Sequence, residues 1–350
     1  MPQRMALLYG AWNSGYFLLC SKLNTAMSKD SSSASFLRKA DPYGIQRSIE
    51  PKNVLPQQAK KLDPSPPIAQ DEVLIEVESL NIDSASFAQM KEVCHQDLTQ
   101  MESMMRNLIT EQGKMQNPVT GSGGMLIGKI IEVGPKFPVQ EKPISKGDRI
   151  ATLVSLTLTP LQIRKFKKIH LSLDRVDVEG TAILFASGIF SKLPKDFSDA
   201  TTLALLDVAG APAHVSRIIK ENDTVAVIGG GGKAGLLCLC EAKQKKGVKT
   251  VAIEYSPENC DRLEKLSFVD EVIQVDARDA VSVLEQVKRV TQEELCDVVI
   301  NVANIPETEM ASILSCKDKG VVYFFSMATQ FTRVALGAEG VGKDIELKIG

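Results

Sequence analysis

The sequence predicts an α/β chain in which a small β-rich domain precedes a doubly wound parallel sheet. Three observations carry this prediction. Short strands separated by glycine turns occupy residues 72–153. Residues 223–254 read as strand, glycine turn, helix and second strand. Beyond residue 194, short β-branched runs alternate with stretches of helical spacing, the pattern of a parallel sheet with crossover helices.

Residues 1–40 stand apart. Arg4, Lys22, Lys29, Arg38 and Lys39 are basic, Asp30 is the one acid, and serines cluster between Ser31 and Ser35. This is transit-peptide composition, and a disordered tail, or a true start at Met27, accounts for it equally. The expected destination is therefore the mitochondrial matrix or the cytoplasm. Asn13, Ser14 and Gly15 interrupt the apolar stretch 5–20, which is too short to span a bilayer. Residues 41–67, rich in proline and polar side chains, are expected to be extended.

The β-rich domain is expected over 41–195. Residues 72–80 (EVLIEVESL) alternate like a half-buried strand. Residues 92–113 carry Leu98, Met101, Met105 and Leu108 at helical spacing, a packing face. Residues 117–134 (NPVTGSGGMLIGKIIEVG) and 146–153 (KGDRIATL) are each a turn followed by a strand. The second domain is expected over 196–350. Helical spacing runs through 203–219, and strands are expected at 224–228, 250–254, 271–275, 297–302, 320–325 and 345–349. Six parallel strands complete one doubly wound sheet.

Bulk properties exclude several classes. A chain of 350 residues is long enough for two cores, and 44% hydrophobic with 24% charged residues is ordinary globular composition. A net charge of −2 gives no electrostatic reason to expect nucleic acid. The basic run 243–249 is the solvated end of a helix. Seven cysteines without a framework read as reduced thiols. Cys238 and Cys240 point to different faces of one helix, Cys94 and His95 form an isolated pair, and only His170 and His214 remain. No metal site is expected.

The glycine turn defines a cofactor. Residues 224–228 (TVAVI) lead into GGGGKAG at 229–235, in which Gly229, Gly232 and Gly235 satisfy GxxGxxG, and Gly230, Gly232 and Gly235 satisfy GxGxxG. Pyrophosphate needs backbone N–H groups at a helix N-terminus and a close backbone approach. Lys233 lies at the start of that helix. The second strand ends in Glu254, placed to accept from both ribose hydroxyls, with no Arg directly after it; this favours NAD over NADP. A P-loop is excluded, because Ala234 follows Lys233 and Val227 stands where the first glycine would be.

A β-rich domain ending in a GDR strand and followed by a Rossmann domain resembles the medium-chain dehydrogenase/reductase superfamily. Longer strings narrow this: YGIQRSIEPKNVLPQQAKKLD (43–63), SLNIDSASF (79–87), NPVTGSGGMLIGK (117–129), ATLVSLTLTPL (151–161), LLDVAGAPA (205–213) and VVYFFSMATQFTRVALGAEGVGKD (321–344). Together they resemble the L-erythro-3,5-diaminohexanoate dehydrogenases, NAD-dependent enzymes of lysine fermentation. The resemblance implies a GroES-like first domain. Zinc-dependent members carry a cysteine where this chain has Asn81 and Ile82, and a His-Glu pair where it has residues 121–124. The zinc-free branch is therefore implied. The family also continues past Gly350, so the Rossmann domain is expected to be C-terminally incomplete.

The implied reaction oxidises a C3 amine and releases ammonia, which calls for a carboxylate to hold an ammonium and a base to activate water. Asp83 and Asp207 are the first candidates, because each sits in an apolar segment where a bare carboxylate is costly. A helix cap at Asp83 and a helix-internal hydrogen bond at Asp207 are the structural alternatives. Glu307 and Glu309 are weaker candidates. Asn301, Asn304 and Ser326 fall at the carboxyl ends of strands, where they are placed to fix the nicotinamide half. The glycines of 121–124 would let substrate or cofactor approach closely, and turn geometry explains them equally. A small diamino acid is the expected partner, and a homo-oligomer the expected assembly. The competing functions are a zinc-free quinone or enal reductase and a truncated dinucleotide-binding protein without catalysis.

Overall fold

The computed structural model describes residues 41–194 and 196–350. The expectations of a transit peptide, tail or later start concern residues 1–40, which lie outside the described residues. The chain divides into two compact units, the second beginning at Ala204.

The first unit opens with a 3₁₀ turn at Ile45–Arg47 and a small antiparallel pair, β1 (Ser48–Glu50) and β2 (Lys61–Leu62). The segment 41–67 is thus folded, where its proline content predicts only an extended path. Then follow β3 (Val73–Ile82), α1 (Ser84–Val93), α2 (Leu98–Gln112), β4 (Gly124–Val133), β5 (Arg149–Thr152), β6 (Leu161–His170), β7 (Arg175–Leu184) and β8 (Phe190–Lys192). The last five strands and β3 make one antiparallel sheet in the order β6-β7-β3-β4-β5-β8. β3 is its centre. A register shift between Val77 and Ser79 moves the buried positions from Val73, Ile75 and Val77 to Leu80 and Ile82, because one extra residue flips a period of two.

Residues 92–113 contain a break ahead of the four residues that carry their helical spacing. His95 and Gln96 adopt left-handed φ values of 48° and 60° and separate α1 from α2. Asp97 caps α2, accepting from Thr99 N (2.8 Å) and Gln100 N (3.1 Å), and these bonds hold its carboxyl below the usual range. The packing face is Met101, Met105 and Ile109. Leu98, the first helical residue, is 47% exposed.

Lys114 is fully buried and donates to Pro56 O at 3.1 Å. Burial pushes its ammonium down to about 8. The unfolded group keeps its proton to about 10.5, so between these values the unfolded chain binds more protons and stability rises with pH. Lys114→Met is expected to flatten this dependence and to stabilise the unit below pH 8 by about 2 kcal/mol. Denaturant unfolding at pH 7 and pH 10 measures both effects.

The second unit begins within α3 (Asp199–Leu206) and continues through α4 (Gly210–Ile218), β9 (Thr224–Ile228), α5 (Lys233–Ala242), β10 (Lys249–Glu254), α6 (Pro257–Leu263) and β11 (Glu271–Gln274). It ends with α7 (Ala280–Thr291), β12 (Cys296–Asn301), α8 (Glu309–Ser315), β13 (Cys316–Phe324), α9 (Phe331–Gly340) and β14 (Glu346–Ile349). The helical stretch 203–219 is broken at residues 207–209. All six strands are parallel in the order β11-β10-β9-β12-β13-β14, so the chain reverses direction across the sheet between β9 and β12. Apolar clusters cover both faces, one including Ile228, Ile253 and Val299, the other Val227, Ala252 and Ile300. Burial pushes the thiols of Cys238, Cys296 and Cys316 up to about 12, which makes them inert core groups. No helix among the described residues is long and apolar enough to cross a membrane.

Candidate functional site

In the second unit the site is built on the turn between β9 and α5. Gly229 has φ +83°, and a Cβ there would lie 3.0 Å from the Ala303 backbone. At Gly230 a Cβ would meet Ala252 Cβ at 2.9 Å, and at Gly231 it would meet Asn259 Cβ at 2.6 Å. Gly235 is tightest: its Cβ would stand 2.2 Å from Gly229 O, so α5 rests directly on the turn. Gly232 is the N-cap of α5, with no side chain to cap it. Its Cβ would meet Gly229 O at 3.5 Å, an ordinary contact. The helix therefore presents its first N–H groups without a side-chain cap, and the cradle fits the pyrophosphate of a dinucleotide.

Glu254, at the end of β10, is brought to this turn. Its Oε2 accepts from Gly231 N (2.9 Å), and its Oε1 accepts from Tyr255 N (2.9 Å) and Ser256 N (3.1 Å). The carboxylate is fixed in orientation, and its remaining lone pairs suit ribose hydroxyls. Sequence reasoning missed Arg262 on α6, whose Nη2 donates to Gly231 O at 3.3 Å. A cation eight residues after Glu254 is a signal that was available.

Asp207 lies in the break between α3 and α4 and receives Lys233 Nζ at 2.9 Å. It is thus joined to the first residue of α5, and no helix-internal bond is involved. The pair neutralises a lysine placed at the positive end of the helix dipole. Asn301 is 1% exposed and saturated: its Nδ2 donates to Thr308 Oγ1 and Ser312 Oγ, both at 2.9 Å, and its Oδ1 accepts from Ala303 N. Asn304 is exposed on the same loop. Ser326, after β13, accepts from Ala328 N at 3.1 Å. Glu307 and Glu309 lie at the start of α8, Glu309 fully buried.

In the first unit, Asp83 is the N-cap of α1, its Oδ1 accepting from Ala85 N at 3.0 Å. Its backbone N–H donates to Gly123 O, so the structure brings Asp83 to the glycine turn 121–124. Cβ atoms at Gly123 and Gly124 would lie 2.5 Å from Met115 O and 2.0 Å from Asn81 O; close packing on the loop after α2 accounts for the first glycine and packing on β3 for the second. Beside them is a hydroxyl cluster absent from the sequence reading. The buried Ser86 Oγ lies 2.6 Å from both Thr120 Oγ1 and Ser122 Oγ. Partners 34 and 36 residues apart left no local signal. Among the described residues no group of three His, Cys, Asp or Glu side chains is placed to hold a metal ion.

An antiparallel β-rich unit followed by a six-stranded parallel sheet with this glycine cradle is the two-unit α/β fold of a Rossmann-type dehydrogenase. The chain belongs to the L-erythro-3,5-diaminohexanoate dehydrogenase family. It is 45% identical over 316 residues to the L-erythro-3,5-diaminohexanoate dehydrogenase of Fusobacterium nucleatum, covering 90% of this chain and 91% of that one. It is 46% identical over 314 residues to the Acetoanaerobium sticklandii enzyme of the same name, covering 89% and 91%. The family's N-terminal domain, described as "L-erythro-3,5-diaminohexanoate dehydrogenase N-terminal domain", matches residues 46–194. A mycobacterial quinone oxidoreductase structure shares the fold, with TM-score 0.53 and 18% identity over 82% of this chain and 75% of that one. A mycobacterial structure complexed with NADPH has the same score and identity, over 82% and 76%.

Proposed function

We propose that this chain oxidises the C3 amine of L-erythro-3,5-diaminohexanoate with NAD and water, giving 5-amino-3-oxohexanoate, ammonia and reduced cofactor. The observation that carries this reading is 45–46% identity over about nine-tenths of the chain to two enzymes named for that substrate. The cradle at 229–235 supports a nicotinamide dinucleotide. When bound, the cofactor supplies the hydride acceptor. The turn and α5 N-terminus would hold its pyrophosphate, Glu254 would accept from its adenosine ribose, and Lys233, steadied and charge-balanced by Asp207, would stand beside the phosphates as a hydrogen-bond donor. Asn304 and Ser326 stand at the carboxyl edge for the nicotinamide half, and Asn301 stiffens that edge. The oxidised C3 centre is hydrolysed by water, and ammonia leaves. Asp83, with one oxygen engaged as a cap, offers the other to an ammonium of the substrate. Both named relatives are bacterial, which favours the cytoplasmic reading and lends no support to a mitochondrial one.

Two measurements test this assignment. Asn is as good an N-cap as Asp, so Asp83→Asn removes the charge and keeps α1. It is expected to lower kcat/KM for the diamino acid at least about tenfold, the scale of one charge-assisted hydrogen bond, with NAD affinity unchanged. Turnover within twofold of the parent would remove Asp83 from the mechanism and favour a reductase of uncharged substrates. Cofactor choice is the second. NAD is expected to bind more tightly than NADP, because a 2′-phosphate would meet the fixed Glu254 carboxylate, and Glu254→Arg is expected to narrow or reverse the preference. Arg262 makes this titration decisive: tighter NADP binding by the parent would show that its guanidinium outweighs Glu254.

A further inference from the structure

Among the described residues of the second unit, Glu309 is the one fully buried acid, at 1% exposure. Its Oε1 accepts from Gln330 N at 2.8 Å. Its Oε2 is buried without a hydrogen-bond partner, and the nearest cation, Arg333 Nη1, stands 3.9 Å away and 3.4 Å from Glu307 Oε1. Glu309 is the first residue of α8, and Gln330 is the N-cap of α9. The carboxylate therefore ties the loop after β12 to the loop after β13. Asn301, Thr308 and Ser312 brace the first of these from below.

The topology says which half of the cofactor these loops serve. Glu254 sets the adenosine ribose on the β10 side of the glycine turn. The sheet reverses between β9 and β12, so the nicotinamide half extends over the carboxyl ends of β12 and β13. A single N–H acceptor does not require a charge, and a buried carboxylate with an unpaired oxygen is costly. Such a cost points to a role in the site.

We infer that Glu309 is a positioning residue for the nicotinamide half of the dinucleotide, setting the spacing of the two loops through Gln330 N and the Arg333 guanidinium. The inference rests on the dinucleotide reading above. Glu309→Gln keeps an oxygen for Gln330 N and loses the charge. Its affinity for NAD is expected to fall about tenfold, while ADP-ribose, which lacks the nicotinamide, binds within twofold of the parent and the melting temperature is unchanged or higher. Glu309→Asp, which restores the charge, is expected to recover part of the NAD affinity. A purely structural role would move NAD, ADP-ribose and melting temperature together. That result, or NAD binding by Glu309→Gln within twofold of the parent, overturns the inference. A parent chain that binds ADP-ribose but is indifferent to the nicotinamide overturns it too, and one that binds neither overturns the dinucleotide reading itself.

Discussion

Gly235→Ala is expected to lower NAD affinity by at least about a hundredfold. The new Cβ would lie 2.2 Å from Gly229 O and 2.7 Å from Gly230 Cα. Both are backbone atoms of the turn, so no side-chain rotation relieves the clash. α5 must lift away from the turn, and the N–H groups aimed at the pyrophosphate lose their common focus. With α5 displaced in both free and bound states, the loss in Kd is that of the misaligned N–H groups' charge-assisted hydrogen bonds, about 1.5–3 kcal/mol each, so two such bonds amount to about two decades or more. Gly232→Ala is the control for the fold, because its Cβ makes only an ordinary contact with Gly229 O, and its melting temperature should match the parent's. Titration of both variants against NAD, with a thermal melt of each, measures the effect. A Gly235→Ala chain that binds NAD like the parent would show that α5 does not depend on resting against the turn.

The second unit was legible because central parallel strands, covered on both faces, must be continuous apolar runs. Expected and observed strands agree closely at 224–228 and 250–254, and β13 begins at Cys316, four residues before the expected 320. The place of Glu254 at the end of β10 was legible for the same reason, because strand ends are predictable. What stayed hidden was interaction over distance. The stretch 92–113 reads as one helix, yet Leu98, Met101, Met105 and Leu108 all follow the left-handed residues His95 and Gln96, since φ leaves no mark on hydrophobic period. Asn301 reads as a ligand contact from its place at a strand end, yet its amide is consumed by Thr308 and Ser312. Nothing in the string YGIQRSIEP shows that Arg47 has a carboxylate partner 25 residues away.

That arginine carries the largest expected effect on stability. Arg47 and Glu72 have fully buried side chains, joined by Nε to Oε1 at 2.9 Å and Nη2 to Oε2 at 2.6 Å. The guanidinium also donates to Asp63 O, Ser65 O and Pro67 O, while Glu72 accepts from Gln46 Nε2 and Ala69 N. Five further groups between residues 46 and 69 thus converge on one ion pair, which gives the proline-rich stretch before β3 its fixed path. Arg47→Met would leave a buried carboxylate without its counterion and remove the guanidinium's donation to three carbonyls. Removing one partner of such a pair costs about 3–5 kcal/mol. The double variant Arg47→Met, Glu72→Gln should recover part of this, since the stranded charge is gone while the guanidinium's bonds to the carbonyls are not restored. The first unit's unfolding transition in denaturant, followed for parent, single and double variants, measures both quantities. A single variant within about 1 kcal/mol of the parent would show that the convergence on Glu72 does not hold the segment, and a double variant no better than the single would place the loss in the carbonyls alone.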